Sequence, residues 1–264
     1  MSKKNIIFMM DVDLQNSTHP SLAHRYSDSR RAPYKYSINS WKKWADKNNA
    51  EVFILKDALL PNKDMGICWQ RYYLFDILEA NKIDYNQILM VDADTIVHPD
   101  CPNFFNMTNN KFTGVHCDAS YDWVIRSLEN YSKYVFNGFM SKFYNYIDCG
   151  FMIVNKKHKQ FFSTITDFYH NNSELLREIE TKLHVGTDQT PVNLLIERED
   201  IDFKLLSYEY NMVDMVRKEI LTQDLLFTKI GWIYQFNCIP NNEENKATYY
   251  WMKKTYEELY EVKK

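Results

Sequence analysis

The stretch Asn86-Gln87-Ile88-Leu89-Met90-Val91-Asp92-Ala93-Asp94-Thr95-Ile96-Val97 decides the fold of this chain. Its residues 88–91 form a short unbroken apolar run, the pattern of a strand buried on both faces. The run ends in two carboxylates separated by the small residue Ala93. Side chains alternate along an extended backbone with a period of two, so Asp92 and Asp94 project to the same side. Paired carboxylates at a strand mouth make a hard-oxygen site suited to Mg²⁺ or Mn²⁺, with water and substrate phosphates completing the shell. A departing diphosphate accumulates negative charge that such a cation neutralises.

The same pattern stands upstream. Residues 6–10 are a continuous apolar run ending in Asp11-Val12-Asp13, so a first buried strand also delivers acidic side chains to a loop. Residues 14–33 are polar, contain Pro20 and Arg30-Arg31, and lack any period, which predicts a loop able to fold over a ligand. Ile38, Trp41 and Ala45 recur at helical spacing before a second apolar strand at 51–55. Ile67, Leu74, Phe75 and Leu78 mark another helix before the strand at 88–91. Strands alternating with helices predict an α/β fold: a mostly parallel sheet covered on both faces, with ligands at the carboxyl ends of its strands. Both acidic clusters fall at such ends.

Beyond residue 100 the expected strands are 111–116, 151–154 and 201–206, with an aromatic-rich insertion at 121–143. Phe161, Phe162, Ile165, Phe168 and Tyr169 predict an amphipathic helix; further helices are expected near 174–183, 190–197 and 246–262. No repeat, low-complexity tract or shift of composition marks a linker, so one domain over residues 1–264 is expected.

Bulk properties narrow the function. The 264 residues, 45% of them hydrophobic, suffice for a full core. With 32 basic against 35 acidic residues and a net charge of -3, there is no basic field for a phosphate backbone, which argues against nucleic acid as a main partner. The apolar run at 6–10 is too brief for a signal core or a membrane span, so a cytoplasmic location is expected. Five scattered cysteines without a Cys-x-x-Cys pair argue against a disulfide framework and a zinc cage.

Residues 85–97 resemble the Asp-x-Asp region of GT-A glycosyltransferases, in particular glycosyltransferase family 8 and its glycogenin-like members, although Asn86 replaces the usual acidic residue after the tyrosine. Other segments resemble that family in the same chain order: residues 8–15, Trp69-Gln70-Arg71-Tyr72, Asp148-Cys149-Gly150-Phe151 through Asn155, and Gly186-Thr187-Asp188-Gln189 through Asn193. The resemblance implies a GT-A, Rossmann-like nucleotide-diphospho-sugar transferase fold with a mixed, mostly parallel central sheet flanked by helices. It implies a metal-dependent, retaining hexosyltransferase that uses a UDP-sugar or GDP-sugar and a carbohydrate or glycan acceptor. By the same analogy Asp11 or Asp13 binds the base or ribose, and Arg71 touches the donor. Asp92 and Asp94, with Ala93 between them, hold Mn²⁺ or Mg²⁺ and the donor, while Asp148, Asp188 and Gln189 line the transferred sugar.

Two departures alter those expectations. Relatives supply a late histidine as third metal ligand, whereas this chain has none after His184, which leaves Gln235 at the similar place, or Asn237 or Asp214. Asp148 replaces the usual asparagine, adding a carboxylate able to act as a base, so inversion is open beside retention. Asp188 also stands where it can cap a helix. The string at 88–95 fits, as an alternative, the opening motif of haloacid-dehalogenase-like phosphohydrolases, with Asp92 as nucleophile, although no later Gly-Asp-x-x-x-Asp loop follows. A non-catalytic nucleotide-sugar-binding module is a third possibility.

Overall fold

The computed structural model describes residues 3–13, 31–237, 239 and 247–261. A six-stranded sheet of order β2-β1-β3-β6-β5-β7 runs through it. The strands are β1 (Asn5–Met10), β2 (Ala50–Leu55), β3 (Ile88–Val91), β5 (Phe112–His116), β6 (Ile147–Val154) and β7 (Phe203–Leu206). β1 pairs parallel with β2 and β3, and β5 parallel with β7, while β6 runs antiparallel to both of its neighbours. The sheet is mixed because of that one reversed strand. Its reversal places the amino end of β6, with Asp148, at the edge where β1 and β3 end.

Alternation along β1 divides the core. Ile6 and Phe8 face a cluster with Trp69, Tyr72 and Phe162, whereas Ile7 and Met9 face Trp41, Trp44 and Phe104. Trp44 and Phe104 stack with centroids 4.6 Å apart and planes within 1°. Fully burying one such aromatic side chain contributes about 1.5–3 kcal/mol. The first cluster is covered by α2 (Ile67–Gln70), α3 (Leu74–Ala80), α4 (Tyr121–Tyr134), α5 (Lys159–Leu183) and α6 (Gln189–Arg198), and the second by α1 (Tyr34–Lys47). Both faces of the sheet are therefore covered, as the alternation of strands and helices requires.

Several elements differ from the sequence expectation. Residues 174–183 are not a separate helix but the second half of α5. The polar stretch Asn171-Asn172-Ser173 interrupts the apolar period without breaking the backbone: Asn172 Nδ2 donates to the Phe168 carbonyl at 2.8 Å, and Leu176 and Ile179 resume the buried face. The aromatic-rich insertion contains α4, which buries Val124, Leu128 and Tyr131. β6 begins four residues before the expected strand, and all eight of its residues are buried. A two-stranded ladder of β4 (Thr95–Val97) and β8 (Ile233–Gln235) was not foreseen, because three-residue strands are too short to show a period. Its register sets Thr95 opposite Gln235. The tail forms α7 (Ala247–Tyr260), and Tyr260 donates to the Val97 carbonyl at 2.6 Å. The loop expected at 14–33 lies outside the described residues up to position 30, as do both ends of the expected tail helix. No helix among the described residues is long and apolar enough to cross a membrane.

The turn after β6 carries a pH-sensitive cap. Asn155 accepts from Lys157 N at 3.2 Å, and His158 Nδ1 accepts from Asn155 N at 3.0 Å, which requires a neutral imidazole. Burial, reinforced by Lys157, brings His158 down to about 4 from an ordinary 6.5. The folded state thus binds fewer protons here than the unfolded state, so this stability is complete above 6.5 and is lost as pH falls toward 4. Urea midpoints measured across that window should fall in the wild type and fall less steeply in His158→Gln.

Candidate active site

Asp92 is fixed by backbone before its side chain is used. Its amide donates to the Gly150 carbonyl at 3.0 Å across the β3/β6 edge, and its carbonyl accepts from the Thr95 hydroxyl at 2.8 Å. Thr95 in turn accepts from the Trp41 indole at 2.9 Å. Phe236 N donates to the Asp94 carbonyl at 2.9 Å, so β8 clamps the far side of the same turn. Ala93 is buried between the two carboxylates, and Asp94 is only 9% exposed.

Arg71 organises the carboxylates. It lies on the 3₁₀ turn Arg71–Tyr73 between α2 and α3, with its side chain 11% exposed. Its NH1 donates to Asp92 Oδ1 at 2.8 Å, and its Nε donates to Asp188 Oδ2 at 3.0 Å, with NH2 reaching the same oxygen. Arg71 is thus a buried bridge between two carboxylates and not a solvated charge on a helix face. Asp188 is 3% exposed and also accepts from the Tyr72 hydroxyl at 2.7 Å and the Thr187 hydroxyl at 2.9 Å. It precedes α6 but makes no side-chain capping bond, because its oxygens serve these partners instead.

Asp148 is 4% exposed and accepts from Gly150 N at 2.6 Å. Burial first, and the neighbouring Asp92 second, push its carboxyl up to about 7. Gln189 accepts from Cys149 N at 3.1 Å and approaches the Cys117 sulfur at 3.3 Å, which aligns the start of α6 with β6. Gln235 Nε2 lies 3.1 Å from Asp92 Oδ2, and its Oε1 accepts from Asn211 at 3.2 Å. Of the alternatives to Gln235, Asn237 lines the cleft, whereas the buried Asp214 pairs with Arg217 at 3.2 Å.

These groups converge on Gly150. A Cβ there would stand 2.6 Å from Asp148 Oδ1, 2.8 Å from Asp92 Oδ2 and 2.8 Å from Gln235 Nε2. Glycine is required by this close approach. Gly150→Ala should lower stability by about 1–3 kcal/mol, the range for overpacking a close-packed interior, in chemical denaturation.

Asp11 and Asp13 are brought together by a residue that sequence reasoning left out of the site. Arg31 Nε donates to Asp11 Oδ1 at 2.8 Å, and its NH1 lies 3.1 Å from Asp13 Oδ2. The signal was present as Arg30-Arg31, but a basic pair in a polar stretch looks the same whether it meets a carboxylate or solvent. Of this segment, Met10 and Val12 line the cleft, whereas Asp11 and Asp13, the residues expected to bind the base or ribose, are not among its lining residues and are engaged by Arg31.

The cleft has a volume of about 790 Å³ and is lined by Arg71, Asp92, Ala93, Asp94, Asp148, Asp188, Gln189 and Gln235 among others. That size lies within the range of small-molecule sites. Among the described residues no group of three His, Cys, Asp or Glu forms a self-sufficient metal cage. The carboxylates of Asp92 and Asp94 suit instead a Mg²⁺ or Mn²⁺ that keeps substrate phosphates in its shell, whereas Gln235 turns its Nε2 toward Asp92 and keeps its Oε1, the atom a cation would need, on Asn211.

Comparison with solved structures bears on the architecture. A glycosyltransferase involved in the glycosylation of the major capsid of PBCV-1 superposes with a TM-score of 0.56, at 8% identity over 94% of this chain and 99% of that one. The galactosyltransferase LgtC, solved with donor and acceptor sugar analogs, gives 0.51 at 12% identity over 98% of both chains. The fold is GT-A. The bifunctional glycosyltransferase WbbM gives 0.53 at 11% identity, with 96% of this chain covering 50% of that one. No protein-family model and no curated protein matches the sequence. In GT-A terms, the acidic turn after β3 and the start of α6 face one another across the cleft, with Arg71 between them.

Proposed function

We propose that this chain, as a single GT-A unit, is a glycosyltransferase that moves a sugar from a UDP-sugar or GDP-sugar to an acceptor hydroxyl of a glycan. The observation that carries this reading is the Arg71 bridge between Asp92 and Asp188, which unites the two acidic segments in one cleft of a GT-A fold. Asp92 and Asp94, joined by Gln235 if its amide turns its oxygen from Asn211 toward Asp92, would hold Mn²⁺ or Mg²⁺, which would neutralise the charge developing on the departing diphosphate. Arg71 adds a fixed cation beside that position. Asp11 or Asp13 receives the base or ribose in competition with Arg31. Asp148, Asp188 and Gln189 line the place where the transferred sugar meets the acceptor. The family resemblance favours retention of the anomeric configuration.

Incubation with Mn²⁺ and a panel of UDP- and GDP-sugars tests this directly. Release of nucleoside diphosphate, abolished by EDTA, is the expected result. Release of phosphate from simple phosphoesters would favour a phosphohydrolase, and nucleotide binding without turnover would favour a binding module. Equal activity with and without EDTA would overturn the metal-dependent reading.

A further inference from the structure

The strand order gives the cleft a direction. Asp11 and Asp13 follow β1, Asp92 follows β3, and Asp148 opens β6, which lies beyond β3 from β1. On the reading proposed above, the nucleotide lies over β1, the diphosphate over β3 and the sugar near β6. An acceptor must then arrive from the side of β6 and β5, away from the leaving nucleotide.

That side is aromatic. Trp123, in the first turn of α4, lines the cleft and lies flush on the loop that carries Asp188: a Cβ at Gly186 would stand 2.9 Å from its ring. Tyr131 donates to the Gly186 and Thr187 carbonyls at 2.5 and 3.1 Å, so α4 and this loop are joined. At the same sheet edge, between the end of β5 and the start of β6, three rings are presented to solvent: Tyr121 at 63% exposure, Phe143 at 44% and Tyr144 at 56%. They meet edge to face, with centroids 5.4 Å apart for Tyr121 and Phe143 and 5.8 Å for Phe143 and Tyr144. Exposed apolar groups clustered in this way mark a binding surface more often than scattered ones do. Flat rings, two of the three carrying a hydroxyl, match a pyranose, which is apolar on its C–H face and polar at its rim, better than they match a lipid chain.

We propose that the acceptor is a sugar chain of at least two residues. Its terminal residue sits against Trp123, and the next lies on the ledge of Tyr121, Phe143 and Tyr144. The inference rests on the transferase reading, and its test separates the two. Purified protein with Mn²⁺ and UDP or GDP is applied to an array of immobilised mono-, di- and tetrasaccharides, and nucleotide affinity is measured separately by calorimetry. Retention of at least one oligosaccharide above the monosaccharides is expected. Tyr121→Ala with Phe143→Ala should reduce it about tenfold, as for loss of aromatic anchors. Trp123→Ala should lower retention further, and Trp123→Phe should restore most of it. Thermal midpoints within about 2 °C of wild type establish that the variants are folded. If the chain binds UDP or GDP but holds oligosaccharides no better than monosaccharides, or the double variant retains them fully, the acceptor assignment is overturned. If neither nucleotide binds and no donor is cleaved, the transferase reading itself falls.

Discussion

Arg71→Met will lower stability by about 3–5 kcal/mol, the cost of breaking a buried pair from one side. The residue is 11% exposed and its principal partner Asp188 is 3% exposed, so the carboxylate left behind has little access to water. Tyr72 and Thr187 continue to donate to Asp188 but bring no positive charge. Adding Asp188→Asn should recover most of the loss, because the stranded charge is then removed as well. Urea denaturation of the two single variants and the double variant tests this. A single variant as stable as wild type would show that the bridge contributes nothing to the fold.

Asp92→Asn should have the larger effect on turnover. The substitution preserves shape while removing the charge that receives Arg71 and faces Gln235. A loss of about 10³-fold in kcat, or about 4 kcal/mol, is expected if this carboxylate helps stabilise the departing diphosphate. Stability should change far less, because Asp92 is anchored by its backbone through Gly150 and Thr95. Manganese binding in the presence of UDP, followed by electron paramagnetic resonance, should weaken in parallel. Unchanged manganese affinity would remove Asp92 from the cation site.

The sequence exposed those parts of the molecule whose pattern is local. Residues 88–91 form the strand their apolar run implies, and the carboxylates at 92 and 94 stand at the cleft. Asp148, Asp188 and Gln189, singled out by resemblance, line the same cleft. Long-range partnership was not legible. Arg31 meets Asp11 and Asp13 across twenty or so intervening residues, and Gln235 reaches Asp92 from 143 positions away through a three-residue strand with no period of its own. The direction of β6 was hidden for another reason: a strand buried on both faces has the same composition whichever way it runs. The aromatic ledge could not be separated from core in advance, because Tyr and Phe at helical or turn spacing look alike until exposure is known.

The reversed strand β6 also bears on how long the site persists once formed. It is buried along its whole length and hydrogen-bonded on both sides, to β3 and β5. The amides of Asp92 and Gly150, bonded within this region, should therefore exchange with deuterium only through global unfolding. The floor on which a donor would rest is then the most slowly opening part of the protein, and conformational adjustment on substrate arrival must come from the walls.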